Sequence, residues 1–207
     1  MNRIVTISRE FGSGGRELGK RLADTLNLPC YDQEIIEMIA EQHGFDKDYV
    51  AHISEKDLRA AYPLTIGHRL TPSFRVTDMS IQVAVTQQKI IQQFANQGDC
   101  VIVGRCADVI LRELHPMNLF IYADQQSKLE RCVQRMQEGE NLSSSALLQK
   151  MRQGDKDRAA YRGLLTDSRW GQKEAYHLCI NTSGKEIKSL IPPLADYVSC
   201  WFGEKTV

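Results

Sequence analysis

Short apolar runs alternate along the chain with stretches whose apolar residues recur at helical spacing. Residues 3–8 (RIVTIS) form a β-branched run, and residues 17–26 then place leucines at positions 18, 22 and 26. This pattern predicts a strand, a glycine-containing turn and a helix. A short second strand around Cys30 and Tyr31 and a helix over residues 33–42 repeat the same order.

The alternation continues after an irregular stretch, residues 43–77, which contains two glycines and two prolines. Beyond it the pattern predicts strands in GDCVIVGR, MNLFIYAD and YHLCINTS, and helices over residues 78–96, 125–138, 143–162 and 185–202. Alternating strands and helices are typical of a parallel sheet that is covered on both faces. The sequence therefore predicts an α/β fold with three layers.

Length and charge narrow the class of protein further. The chain has 207 residues, which suits one compact domain, and 26 basic residues balance 26 acidic ones. Because there is no overall positive field, a nucleic-acid partner is not expected. No stretch approaches the ~20 apolar residues of a membrane span, so no membrane partner is expected.

Six cysteines include no CxxC pair, and five histidines share no metal-ligand spacing. We therefore expect reduced thiols, a cytoplasmic location and no protein-held metal site.

The turn after the first strand, SREFGSGGRELGK, is the strongest chemical signal in the sequence. Glycines between a strand and a helix let backbone N–H groups surround a phosphate at the helix N-terminus. The familiar phosphate-binding pattern is G-x-x-x-x-G-K-[ST], and here Arg9, Gly15 and Arg16 occupy the places of its first glycine, its lysine and its hydroxyl residue. Arg16 could supply the missing cation, since a guanidinium holds phosphate through paired donors. The predicted phosphate-binding residues are Gly12, Ser13, Gly14, Gly15 and Arg16, and the alternative is a glycine-rich turn without a ligand.

Four segments together resemble the cytidylate kinase-like family of the P-loop nucleoside monophosphate kinases. They are IVTISREFGSGG with the YDQEII that follows it, VIVGRCAD, LFIYAD and KMRQGDKDRAAYR. The resemblance covers nearly the whole chain. It implies a core (residues 1–32, 98–138 and 166–207), a helical acceptor-binding insert at about 33–97 and a lid at about 139–165. It also implies transfer of the γ-phosphate of ATP, with Mg²⁺, to a nucleoside monophosphate.

The same resemblance suggests roles for individual residues outside the glycine loop. Asp32 and Arg105 match positions that face the acceptor nucleotide, with a helix N-cap and a structural ion pair as their respective alternatives. The remaining basic candidates lie before or within the lid. Arg158 is assigned to catalysis, together with Arg16 and Arg105. Arg162 is assigned to substrate binding, and the residues assigned to nucleotide binding are Arg131, Arg152 and Lys156. A solvated charged helix face, paired with Asp155 and Asp157, is the alternative for the lid residues.

Two departures from the family pattern leave the activity open. Glu37 stands near the place of an acceptor-binding arginine, and Val103 stands where the family keeps an aspartate that organises magnesium. Asp99 and Asp124 are considered as substitutes, although turn residues are the simpler interpretation of both.

Phosphoryl transfer is catalysed mainly by positioning and by cations, so the retained arginines favour a kinase. CMP or dCMP is the expected acceptor, and small-molecule nucleotides are the expected partners. The alternatives are a catalytically weak nucleotide-binding sensor or interaction module, and a kinase for another small acceptor. A homodimer is a further expectation, because the long helix at about 78–97 offers a packing surface.

Overall fold

The computed structural model of the chain describes residues 2–47, 50, 74–136 and 142–203. The irregular stretch predicted over residues 43–77 lies largely outside the described residues, as do residues 137–141 of the predicted lid and its preceding helix.

The described residues form one sheet of five parallel strands in the order β2-β3-β1-β4-β5. In chain order the strands are β1 (Ile4–Arg9), β2 (Cys30–Tyr31), β3 (Cys100–Val103), β4 (Met117–Tyr122) and β5 (Leu178–Asn181). In the register of the centre, Val5 pairs with both Val101 and Met117. Because all strands run the same way, their carboxyl ends share one edge, where open α/β sheets bind ligands.

Helices follow the strands and cover both faces of the sheet. They are α1 (Gly15–Leu26), α2 (Gln33–His43), α3 (Phe74–Gln97), α4 (Ala107–Ile110), α5 (Gln125–Gln134), α6 (Ser144–Leu165) and α7 (Ile187–Trp201). No helix within the described ranges is long and apolar enough to cross a lipid bilayer.

Two hydrophobic clusters, one on each face, give the fold its three layers. Ile4 points into a cluster with the apolar sides of α2 and α3, and its neighbour Val5 points into a cluster with α1 and α7. The central strand is therefore buried on both faces, as its continuous β-branched run predicts. The predicted three-layer α/β fold is confirmed.

Most differences from the sequence prediction lie at the ends of elements, and the short helix α4 (Ala107–Ile110) was not predicted. The strand predicted in GDCVIVGR, which Gly104 is expected to end, spans Cys100–Val103 and is followed by positive φ values of 80°, 57° and 51° at Gly104, Arg105 and Cys106. Left-handed residues cannot continue a strand. The predicted helix over residues 78–96 begins four residues earlier, at Phe74. The division into core, acceptor insert and lid stays a prediction.

Candidate functional site

The glycine loop lies between the end of β1 and the first residue of α1, at the carboxyl edge of the sheet. Gly12 and Gly14 have φ values of 75° and 83°, in the left-handed region that favours glycine. Gly14 is also the N-cap residue of α1, and no side chain caps this end of the helix. The first amides of α1 have no acceptor within the helix, so this end is a ready anion site.

Close packing explains why small residues occupy the loop. A Cβ at Gly12 would lie 2.9 Å from Cys132 Sγ and from the Lys128 carbonyl oxygen, and a Cβ at Gly14 would overlap Ile187 Cδ1. Ser13 is fully buried, and its hydroxyl donates to the Glu10 carbonyl oxygen at 2.9 Å. The Ser13 hydroxyl therefore ties the loop together.

A pocket of about 300 Å³ lies directly over this loop, between α5 and the start of α6. Its walls include Phe11, Gly12, Gly14 and Gly15, and five cations: Arg9, Arg16, Arg135, Lys150 and Arg158. The carboxylate in the wall, Glu10, accepts from Lys128 Nζ at 2.9 Å, so its charge is paired. A cavity lined by bare amides and several cations is suited to a polyanion.

Helix α6 is fastened to the glycine loop by two of its residues. The Phe11 N–H donates to Asp155 Oδ1 at 2.7 Å, and Arg158 Nη1 donates to the same oxygen at 3.2 Å. Arg158 Nη1 also donates to the Arg9 carbonyl oxygen at 3.3 Å, and its guanidinium lies 5.7 Å from the centre of the Phe11 ring. Burial raises the pKa of Asp155, although the Phe11 N–H and the Arg158 charge oppose the rise. Asp155 thus orients Arg158 at the pocket wall.

Arg105 lies in a strained turn at the end of β3. Arg105 and Cys106 are both left-handed without being glycine, a conformation found in few ordinary residues and enriched at functional sites. Arg105 is buried and lines a small cavity of about 20 Å³ together with Arg9, Arg158, Tyr161 and Trp170. The three arginines of this wall meet at the carboxyl ends of β1 and β3.

Asp32 follows β2 and stands at the N-cap position of α2, yet its side chain makes no capping hydrogen bond. Its carboxylate instead forms an ion pair with Arg16 Nε. Arg9 Nη2 lies 4.0 Å from Asp32 Oδ1, and this buried oxygen has no hydrogen-bond partner among the described residues. The simple capping role considered for Asp32 is therefore wrong, and the carboxylate connects the end of β2 to the two loop arginines.

Four of the predicted basic residues do not line the pocket over the glycine loop. Arg152 and Lys156 are exposed and are not part of its walls. Arg131 donates from Nη1 to Thr182 Oγ1 at 3.2 Å and from Nη2 to the Thr182 and Lys185 carbonyl oxygens. These contacts join α5 to the segment after β5, beside the glycine loop.

Arg162, the fourth, is buried in an ion pair with Asp108. Its Nη2 donates to Ser168 Oγ at 2.9 Å, and its guanidinium lies 5.4 Å from the centre of the Tyr176 ring. Burial alone would lower the pKa of Arg162, but the Asp108 carboxylate outweighs it and the pKa lies above its usual value. In this arrangement Arg162 connects α6 to α4.

Three cations of the pocket wall, Arg9, Lys150 and Arg135, were not among the predicted site residues. Lys150 precedes Gly154 and Arg158 by one and two turns of α6, so the four-residue spacing could have placed it on the same face. A Cβ at Gly154 would lie 3.0 Å from the Phe11 ring, which shows how closely this face approaches the loop. Arg135 donates to Glu17 Oε2 at 2.7 Å, a contact between α1 and α5 that has no local sequence signal.

The described residues do not fit the magnesium site of a P-loop. Arg16 replaces the hydroxyl ligand and the buried Val103 replaces the family aspartate, and no group of three His, Cys, Asp or Glu side chains in the described part of the chain could hold a metal ion. Asp99 accepts from the Arg3 N–H at 2.7 Å, and Asp124 caps α5 by accepting from the Ser127 N–H at 2.7 Å, so both carboxylates have structural partners.

Comparison with solved structures finds proteins that have the same fold as this chain. A solved structure of an uncharacterized protein from Eubacterium ventriosum ATCC 27560 is 26% identical, with a TM-score of 0.67 over 95% of this chain and 98% of that one. Two solved kinases share the fold. Shikimate kinase from Bacteroides thetaiotaomicron is 14% identical, with a TM-score of 0.58 over 96% of this chain and 99% of that one. A gluconokinase from Sinorhizobium meliloti 1021 is 13% identical, with a TM-score of 0.52 over 99% of this chain and 98% of that one.

No curated protein sequence matches the chain. The sequence model of the cytidylate kinase-like family, however, matches residues 4–184. With a five-stranded parallel sheet, a glycine loop before α1 and this match over most of its length, the chain belongs to the cytidylate kinase-like family.

Proposed function

We propose that the protein transfers the γ-phosphate of ATP to a small acceptor, with CMP or dCMP as the first candidates. The observation that carries the proposal is the pocket over the glycine loop, whose walls bring five cations to the open N-terminus of α1. Family membership supports a phosphotransferase, and the cations are the groups that such a reaction needs.

We assign the triphosphate of ATP to the glycine loop and its nucleoside to the adjoining groove. That groove has a volume of about 500 Å³, and Arg135 lines both it and the phosphate pocket. Its walls also include Arg131, Lys185 and Ile187, together with three carboxylates, Glu17, Glu130 and Glu186. A molecule bound in both cavities would pass beside Gly14, where any side chain would overlap Ile187.

In this proposal the acceptor approaches from the other side of the loop, where Arg105 lines the small cavity. Arg16 and Arg158 would hold the donor phosphates, and Arg105 the acceptor phosphate. Mg²⁺ is proposed to accompany ATP, with no step assigned to a metal ligand of the chain. A cytoplasmic location and a homodimer are part of the same proposal.

A kinase whose acceptor is a hydroxyl group is a second candidate, favoured by Asp32. The buried Asp32 Oδ1 has no hydrogen-bond partner among the described residues, and a carboxylate accepts from a hydroxyl group but repels a phosphate. Two of the solved kinases with this fold are named for shikimate and gluconate, which carry hydroxyl groups. A nucleotide-binding module without turnover is the third candidate, because the loop lacks its lysine.

A coupled assay with ATP, Mg²⁺ and two acceptor panels distinguishes these candidates. One panel contains nucleoside monophosphates and the other contains polyhydroxy acids such as shikimate and gluconate. Arg16→Ala is measured beside Arg112→Ala, a matched control whose side chain is 72% exposed and pairs with Glu113. We expect turnover with CMP that falls about 10²-fold in the Arg16 variant and is unchanged in the control.

Turnover only with a hydroxyl acceptor would replace CMP by the second candidate. Tight ATP binding by calorimetry, with no turnover in either panel, would favour the binding module. If neither ATP nor GTP binds, with or without Mg²⁺, the nucleotide proposal is refuted.

A further inference from the structure

Arg9 extends from the last position of β1 across the end of the neighbouring strand. Its side chain is buried, and its guanidinium lies so close to Gly104 that a Cβ at this glycine would overlap it. The far end of the guanidinium reaches to 4.0 Å from Asp32 Oδ1, at the end of β2. Arg9 therefore holds a positive charge at the carboxyl edge of the sheet, across the ends of three adjacent strands.

Compared with the usual phosphate loop, the cationic residue and the glycine stand in each other's place at positions 9 and 15. The pattern G-x-x-x-x-G-K-[ST] has a glycine where this chain has Arg9 and a lysine where it has Gly15. A Cβ at Gly15 would lie 2.5 Å from Arg9 Cβ and 3.3 Å from Ile121 Cβ. A side chain at position 15 is thus sterically excluded while Arg9 is present, so the two departures form a single linked change.

Arg9 also lines both cavities of the site. It forms part of the wall of the 300 Å³ pocket over the glycine loop and of the small cavity that contains Arg105. A phosphoryl group that moves from the loop toward Arg105 would pass this shared wall. Both Arg9 and Arg16 form ion pairs with Asp32, but the Arg16 side chain is 56% exposed and the Arg9 side chain only 8%.

We propose that Arg9 replaces the P-loop lysine as the cation that contacts the migrating phosphoryl group. The inference rests on the proposed function. In the transfer, the bond between the γ-phosphorus and the bridging oxygen breaks, and its electron pair stays on ADP. A deprotonated oxygen of the acceptor phosphate forms the new bond to phosphorus, so no proton moves. Arg9 donates hydrogen bonds to the phosphoryl oxygens and stabilises their charge in the transition state.

The test compares Arg9→Gln, Arg9→Lys and the double variant R9G/G15K, with Arg112→Gln as the matched control. The double variant restores the usual glycine and lysine and removes the overlap that excludes a side chain at position 15. For each variant we would measure kcat, KM for ATP, the affinities for ATP and ADP, and the melting temperature. Arg9→Gln is expected to lower kcat by about 10²-fold or more with a much smaller change in KM.

Arg9→Lys and R9G/G15K are expected to recover at least about 10-fold of this loss, because each returns a cation to the same wall. Added guanidinium ion is expected to raise the turnover of Arg9→Gln and not that of the control. A merely structural Arg9 would instead lower the melting temperature and the ATP affinity together, with no recovery by guanidinium. That result, or a kcat of Arg9→Gln within threefold of the wild type, would overturn the inference while leaving the kinase proposal intact.

Binding gives a readout that does not depend on finding the acceptor. If Arg9 contacts the γ-phosphate, the wild type binds ATP more tightly than ADP, and Arg9→Gln loses this preference. Equal preference in the two proteins overturns the inference even when no acceptor is turned over. A wild type that binds neither nucleotide refutes the proposed function and this inference with it.

Discussion

The buried pair of Arg162 and Asp108 provides a test of what Arg162 does. The two side chains are only 4% and 3% exposed, and Asp108 Oδ1 has no hydrogen-bond partner among the described residues. Asp108→Asn removes the negative charge and leaves a buried guanidinium without its counter-ion. Breaking one partner of such a pair costs about 3–5 kcal/mol of the free energy of unfolding.

For a chain of this length, 1 kcal/mol shifts the melting temperature by roughly 2–4 °C, so Asp108→Asn should melt about 6–20 °C lower than the wild type. Urea unfolding followed by circular dichroism would measure the free energy directly. The double variant D108L/R162M replaces both charges with apolar groups, and we expect it to recover most of the lost stability.

The double variant also separates a structural role from a substrate-binding role. If Arg162 only connects α6 to α4, D108L/R162M keeps both its stability and its turnover. A stable double variant that has lost turnover would support the substrate-binding role predicted from the sequence. A melting temperature of Asp108→Asn within 2 °C of the wild type would refute the argument from burial.

Three further predictions follow from single groups. Gly14→Ala should weaken ATP binding at least about 10-fold in calorimetry, because alanine at a φ of 83° is strained and its Cβ overlaps the start of α7; unchanged affinity would place the triphosphate elsewhere. Burial raises the pKa of Cys30 to about 12, so at pH 8 a thiol reagent should label the exposed Cys200 and leave Cys30 unmodified until the protein is denatured; equal labelling of the two in the native protein would contradict this. Burial lowers the pKa of His177, whose Nδ1 accepts from the Asn118 N–H at 2.9 Å, so the stability that the neutral ring contributes should be lost as the pH falls below about 6.5. His177→Gln should flatten the pH dependence of the free energy of unfolding in that range, and an unchanged slope would refute this prediction.

Much of the fold could be predicted because the signals are local. The β-branched runs of β1 and β3 and the leucines of α1 are spaced with the periods of a strand and a helix, and their burial follows directly. The glycine loop was predicted for the same reason, since a helix N-terminus after a buried strand needs only neighbouring residues to form. The end of β3 at Gly104 was also predicted, but residue types alone do not specify the left-handed conformations of Arg105 and Cys106 that follow it.

The sequence by itself therefore determined the three-layer fold, the family and the position of the glycine loop. Only the tertiary structure decided which cations line the pocket over that loop. Lys150 and Arg158 of α6 lie in the pocket wall, whereas Arg152 is exposed and Arg162 pairs with Asp108. The physical reason is that helical periodicity shows which residues share a face, whereas the packing of one helix against another selects the face that meets the site. Arg9 and Gly15 are a second example. In the sequence they are two separate departures from the phosphate-loop pattern, and only the structure shows that the Arg9 side chain occupies the space that a side chain at position 15 would need.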